Sequence, residues 1–238
     1  MAVVFDSTGT VSDVAGDVNL APTAPATVNS GDLLICQIAH QNNATQLSAT
    51  YTPPSGWTLV HSATQNSTRL LIYNKDTVDG TEDGATFTWT VGSGQSTVGH
   101  NAAIHRFTGN DGGLISHSSG SGNSAIIADS DVVVANNGSL AVNFICHDSG
   151  SPADHIVSDA TWTDRFSYFT SRPTIFLVDH ATPTAATIGG STWTTVGSTS
   201  GPWICHGYEI KEAAAAGGSP IHVLGQATFS GDSVSFCL

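Results

Sequence analysis

The chain has 238 residues and an ordinary apolar fraction of 39%, enough to bury roughly 70% of its unfolded surface without covalent staples. Charge is sparse and lopsided: six Lys and Arg stand against 19 Asp and Glu, a net charge of -13. Six dispersed cations cannot build the basic stripe that a phosphate backbone requires, so no nucleic-acid partner is expected, and an anionic membrane surface is an equally poor one.

The opening residues, Met1-Ala2-Val3-Val4-Phe5-Asp6, lack the basic region and apolar length of a secretory signal, and synthesis in a cytoplasm is expected. Gly31-Asp32-Leu33-Leu34-Ile35-Cys36-Gln37-Ile38-Ala39 reads as a buried strand. A loop follows, and the turn Pro53-Pro54-Ser55-Gly56 then delivers Trp57 into a core. Leu70 to Tyr73 is the next strand. In Thr86-Phe87-Thr88-Trp89-Thr90-Val91 the apolar residues fall on alternate positions, which puts Phe87, Trp89 and Val91 on one face and the threonines on the other. Ala102 to Phe107, Asp131 to Ala135, Leu140 to Cys146, Thr174 to Val178 and Trp203 to Ile210 complete the strand set. Clusters such as Gly92-Ser93-Gly94 and Asp111-Gly112-Gly113 read as turns between strands. Helical periodicity is missing, and the helix-forming run Glu212 to Ala216 is cut by Gly217-Gly218-Ser219-Pro220. The expected fold is all-β, an antiparallel sandwich with jelly-roll character.

The elements recur in order at a slowly shortening spacing. Gly31 to His40 returns as Gly138 to His147, Trp57-Thr58 as Trp162-Thr163, Leu70 to Asn74 as Ile175 to Asp179, Trp89-Thr90 as Trp193-Thr194, and the strand ending at Phe107 as the one ending at Ile210. A duplicated sandwich over residues 1–211, with halves of about 1–112 and 113–211, accounts for this. Each half offers four or five strands, so the halves are expected to pack together; two separate small sandwiches are the alternative. Residues 212–238 lie outside the repeat and read as a linker and a C-terminal β arm. The apolar positions of that arm, Ile221, Val223, Leu224, Phe229, Val234 and Phe236, are candidate partner-binding residues by strand addition, with an extra strand on the same domain as the other reading.

No catalytic motif appears: there is no GxSxG and no glycine-rich phosphate cradle after a strand. An enzyme is not expected, and no catalytic residue, metal ligand or cofactor is assigned. The neighbours His147-Asp148, Asp154-His155 and Asp179-His180 are of metal-ligating type but have no tight ligand spacing. The acidic stretch Asp76 to Asp83 reads as a solvated turn of the kind that also makes weak calcium loops. Cys36, Cys146, Cys205 and Cys237 show no paired spacing and read as reduced, small apolar residues. Of the five tryptophans, Trp57, Trp89, Trp162 and Trp193 form two repeat-related pairs and are assigned to the core. Trp203 has no clear counterpart and is the ligand or interface candidate.

The series GDLLI (Gly31 to Ile35), PPSGWTLV (Pro53 to Val60), Tyr73-Asn74-Lys75, TFTWTV (Thr86 to Val91) and AAIHRFTG (Ala102 to Gly109) resembles a group of β-sandwich proteins encoded in bacteriophage genomes, in which the block recurs in degraded form. Here the second copy has Ser158-Asp159-Ala160-Thr161 in place of the Pro-Pro-x-Gly turn. The resemblance implies a virion component. The expectation is a capsid decoration (cement) protein on the outer capsid surface, with the major capsid protein and further copies of itself, as a homotrimer, for partners. A receptor- or glycan-binding module of a tail fibre or spike is the alternative. No catalytic residues come with the resemblance.

Overall fold

A computed structural model describes residues 2–16, 18–42, 49–75, 77–92, 97–128, 131–148, 155–157, 161–169, 173–182, 184–189, 192–195 and 200–213. These residues form strands and connections without a helix, and every strand pairing is antiparallel. The arm residues Ile221, Val223, Leu224, Phe229, Val234 and Phe236, and Cys237, lie outside the described residues.

The first half contains β1 (Val4–Thr8), β2 (Ser12–Val14), β3 (Leu33–Asn42), β4 (Tyr51–Thr52), β5 (Trp57–Gln65), β6 (Thr68–Lys75), β7 (Thr90–Val91) and β8 (Thr97–Thr108). The second contains β9 (Asn110–Ser124), β10 (Ile126–Ala128), β11 (Val132–Val134), β12 (Leu140–His147), β13 (His155–Val157), β14 (Thr163–Tyr168), β15 (Thr174–Ala181), β16 (Ala186–Ile188), β17 (Thr192–Thr195) and β18 (Gly201–Glu212). The large sheet of the first half runs β1-β8-β3-β6-β5, with β2 also on β8, and that of the second runs β9-β18-β12-β15-β14, the same order. Opposite each lies a small layer. It is β4-β7 with the bridges Leu20–Trp89 and Thr23–Thr86 in the first half, and β10-β17-β13 with β11-β16 in the second. Each half thus places its entering strand beside its last strand in one layer and an early segment beside a late one in the other. That is jelly-roll ordering.

The layers follow from side-chain alternation. On β3, Leu34, Cys36 and Ile38 point to the small layer and meet Trp57 and Trp89, while Leu33, Ile35 and Ala39 point the other way. On β12, Ala141 and Ile145 pack with Trp162 and Trp193, whereas Leu140, Val142, Phe144 and Cys146 face the first half. The two large sheets therefore pack face to face, and their central strands are apolar on both sides, which is why they read as unbroken apolar runs. Each half also closes a sandwich of its own, so four layers of β structure are stacked.

The seam between the halves is reciprocal. Phe166 on β14 lies against His105 on β8, with ring centroids 5.1 Å apart, and His61 on β5 lies against Tyr208 on β18 at 6.1 Å. Polar ties cross it too: Gln37 Nε2 donates to Ile145 O at 2.8 Å, Gln41 Nε2 to Asp148 Oδ1 at 2.6 Å, and Ser67 Oγ to Asp148 Oδ2 at 3.0 Å.

The two halves launch their long central strands alike. Gly31 and Gly138 both have left-handed backbone, with φ of 86° and 75°, a conformation open to glycine at little cost. One sequence expectation fails nearby. Asp111-Gly112-Gly113, read as a turn, lies inside β9, whose pairing along β18 supplies the ladder that its Gly- and Ser-rich side chains do not advertise.

Candidate functional site

Trp203 is 6% exposed and sits in the core of the second half. Its indole N–H donates to Ser124 Oγ at 3.3 Å, and its ring covers Gly120 and Gly122. The register supplies the counterpart that the sequence hid. Trp203 stands opposite His147 as His100 stands opposite His40, so Trp203 takes the place of His100. The other four tryptophans are buried as equivalent pairs, Trp57 against Trp89 at 5.1 Å and Trp162 against Trp193 at 6.2 Å.

Among the described residues, the His/Asp neighbours do not converge. Asp148 accepts from Gln41 and Ser67, Asp179 pairs with Arg165 at 2.8 Å, His180 meets Trp162 edge-on, and Asp154 lies outside the described residues. In the acidic stretch, Glu82 binds Lys75 Nζ at 3.0 Å and accepts from Gly80 N, while Asp79 accepts from the Thr81 amide and hydroxyl. Among the described residues, no group of three His, Cys, Asp or Glu side chains is arranged to hold a metal ion. Cys36, Cys146 and Cys205 are buried, and burial pushes the thiols of Cys36 and Cys146 above their usual range.

Two histidine-bearing constellations were invisible in the sequence. At the seam, His61 on β5, His117 on β9 and His206 on β18 come together. The first two are stacked with centroids 3.3 Å apart, and one ring nitrogen hydrogen passes between His117 Nε2 and His206 Nδ1, 3.0 Å apart. Burial first, then one another, keep His206 down at about 3 and His117 at about 4, so the cluster is neutral at ordinary pH.

The second lies at the end of the first half, where a polar row crosses three strands: Arg69 on β6, His40 on β3 and His100 on β8 are cross-strand neighbours. His40 is wholly buried and stacks on His100 with centroids 4.8 Å apart and planes 9° apart. His100 Nε2 donates to Gly16 O at 2.9 Å, which leaves Nδ1 to accept the Tyr51 hydroxyl. Both ring nitrogens of His40 are buried without a hydrogen-bond partner, and burial, reinforced by His100 and Arg69, lowers its affinity for a proton to about 3. In front of this row opens a cleft of about 480 Å³, lined by Thr50, Tyr51, Leu59, Ser62, Thr64 and Arg69, with Leu71 and Tyr73 as its floor. Among the bonds that hold Arg69, Nε donates to Ser62 Oγ at 2.9 Å and a terminal nitrogen to Ala49 O at 2.7 Å. Lys75, Arg106, Arg165 and Lys211 pair with carboxylates.

Comparison with protein-family models, with curated protein sequences and with solved structures finds no match to this chain. What the cleft offers chemically is recognition: a fixed guanidinium, several hydroxyls and one exposed apolar side chain. The nearest signal in the sequence was His40, a polar residue at the end of the apolar run of β3.

Proposed function

We propose that the chain is a bacteriophage virion structural protein of the decoration kind, which binds the outer surface of a capsid as a homotrimer together with the major capsid protein and reinforces the contacts between capsomers. The observation that carries this reading is that the block running from GDLLI through AAIHRFTG folds as one jelly roll and that its degraded copy folds as a second, stacked on the first through a continuous apolar seam. The argument from fold is analogy: double-sheet jelly rolls serve viral capsids and lectins alike. The seam makes the body four layers thick, which suits a part that bears load. Ile115, Ile126 and Val133, on β9, β10 and β11, are 37%, 51% and 55% exposed, apolar side chains that a partner would cover. Copies bound at every junction of a symmetric shell would multiply a modest interface.

The test is reconstitution. Purified shells lacking the protein are mixed with it, imaged, and heated. Occupancy of repeated sites over the shell together with a raised disruption temperature is expected. Failure to bind shells, or a location confined to the tail, would reject the decoration role. A second reading, a receptor- or glycan-binding module of a tail fibre, is favoured by the cleft in front of Arg69. A tail location together with a particle that no longer adsorbs when the protein is missing would decide for it.

A further inference from the structure

We propose that residues 221–229 of one copy of this chain add as a strand to the outer edge of β5 in a second copy. Among the described residues β5 pairs on one side only, with β6. Exposed edges of this kind are usually guarded by Lys, Pro or an inward charge. β5 has no such guard: its sequence, WTLVHSATQ, contains no Lys, Arg, Asp, Glu or Pro, and its register with β6 shifts once, between Leu59 and His61. The other outer strands of the two large sheets differ. β1 carries Asp6, β2 carries Asp13, and β14 carries Asp164 and Arg165. β9 is met by the strands that follow it, with Ser116 Oγ donating to Val133 O at 2.8 Å.

The donor matches this edge in length, charge and pattern. β5 has nine residues, as does the segment from Ile221 to Phe229, which is also free of Lys, Arg, Asp and Glu in a chain of net charge -13. As a strand the segment would put Ile221, Val223, Ala227 and Phe229 on one face and His222, Gln226 and Thr228 on the other, with Leu224 the one large apolar residue out of phase. Val60 and Ala63 of β5 are half-buried against the seam, so an added strand with one apolar face continues that core outward. Main-chain hydrogen bonds supply the affinity and the apolar face sets the register.

Strand direction makes the donor a second copy. The chain leaves β18 beside Gly109, whose carbonyl accepts from Ala213 N at 2.8 Å. The registers set Val4, Trp57, Asn110 and Thr163, the first residues of β1, β5, β9 and β14, toward that same end of the molecule. All four strands therefore run away from it, and residues 221–229 turned back along their own chain would lie parallel to each. Every pairing among the described residues is antiparallel, the slightly more stable arrangement. To pair antiparallel with its own β5, the segment would have to begin beside Gln65. Gln65 stands roughly 26 Å along β5 from Trp57, and the register sets Gly109 roughly 10 Å further back. The chain from Ala213 to Ile221 spans at most about 29 Å.

Each copy then has one strand to give and one edge to receive, an arrangement that closes into a ring. The pairing rests on the virion reading for the number of copies alone, and it is measured without shells. A chain that assembles through the arm yet ignores shells rejects only the virion reading, and a monomer that binds shells rejects only this one.

The experiment measures the mass of the full chain by sedimentation over a concentration series, beside two full-length variants. Val223→Pro removes a ladder N–H from the donor, and Leu59→Lys/Thr64→Lys puts cations at two exposed positions of the acceptor edge. The parent is expected to assemble and each variant alone to be monomeric, with near-ultraviolet circular dichroism unchanged. An equimolar mixture of the two variants is expected to give a one-to-one complex, because the intact arm of one meets the intact edge of the other. A parent that stays monomeric, an assembly that survives either variant, or a mixture without a complex would overturn the proposal. If the double variant does not fold, Leu59→Lys alone takes its place and is read in the same way.

Discussion

Arg106 and Glu209 stand at the same place in the two halves, opposite Leu34 on β3 and Ala141 on β12, and they do one job with opposite charge. Arg106 reaches Asp32 at 2.6 Å and Asp6 at 2.8 Å, tying β1 and the start of β3 to β8. Glu209 accepts from Ala135 N at 2.9 Å and from Asn136 N at 3.0 Å, tying the turn after β11 to β18. Although burial opposes ionisation of Glu209, these hydrogen bonds hold its carboxyl below the usual range.

Arg106→Gln is therefore expected to destabilise by about 3–5 kcal/mol, because Asp32 is left as a buried charge without its counter-ion. The double variant Arg106→Gln/Asp32→Asn should recover part of the loss. Urea midpoints of the three proteins check this, and a double variant no better than the single one would mean that the pair itself matters little.

Acid should weaken the fold well before its carboxylates titrate. His40, His105 and His206 are held neutral to about 3, and His117 to about 4, chiefly by burial, against an unfolded value of 6.5. His105 is wholly buried, with the Thr8 hydroxyl on Nδ1 and Nε2 donating to Gln37 Oε1. A folded value below the unfolded one means that the unfolded chain takes up the extra protons. Stability is complete above pH 6.5 and falls as pH drops from there toward 4, by about 1.4 kcal/mol per unit for each of the buried His40, His105 and His206, with a smaller, solvent-screened share from the exposed His117. Denaturation curves at a series of pH values, with His206→Gln expected to show the shallower slope, test it.

The paired tryptophans should respond alike. Trp57→Ala and Trp162→Ala each remove an indole that is 4% exposed and packed on a second tryptophan, and each is expected to cost about 3–5 kcal/mol. Thermal unfolding of both variants measures this. A large loss in one and none in the other would show that the halves differ in core mechanics.

Gly122→Ala should be costly although the position is on an edge strand. An added Cβ would stand 2.7 Å from the Trp203 ring, and the expected loss is about 1–3 kcal/mol. Gly113→Ala, on the same strand with open space around it, is the control. Near-ultraviolet circular dichroism reports the displaced indole alongside the stability change.

How far the sequence carries can be judged from single elements. β3, β6, β8 and their equivalents were legible because strands buried on both faces are long and apolar. The alternation in Thr86 to Val91 likewise gave the burial of Trp89 and Val91 correctly. The small layers were not legible, because strands of two to four residues such as β4, β7 and β13 are too short to show a period. Without them each half looked too poor in strands to close by itself. β9 was lost for another reason: its glycines make room for Trp203, so the signal resides in the partner strand. The two histidine groupings and the Arg69 cleft depend on register and on the seam, and no local spacing announces either.

The reciprocal seam has a consequence for how the molecule changes over time. As two separate chains, the halves would meet as an isologous dimer, in which any substitution appears twice and must suit both sides at once. Joined in one chain, each side varies alone. The contact that is His105 with Phe166 on one side has become Tyr208 with His61 on the other, and Gln37, bonded across the seam, stands at the position that Phe144 holds in the other half. Fusion also removes the dependence of pairing on concentration. One copy is then at liberty to keep the scaffold while the other acquires an Arg69.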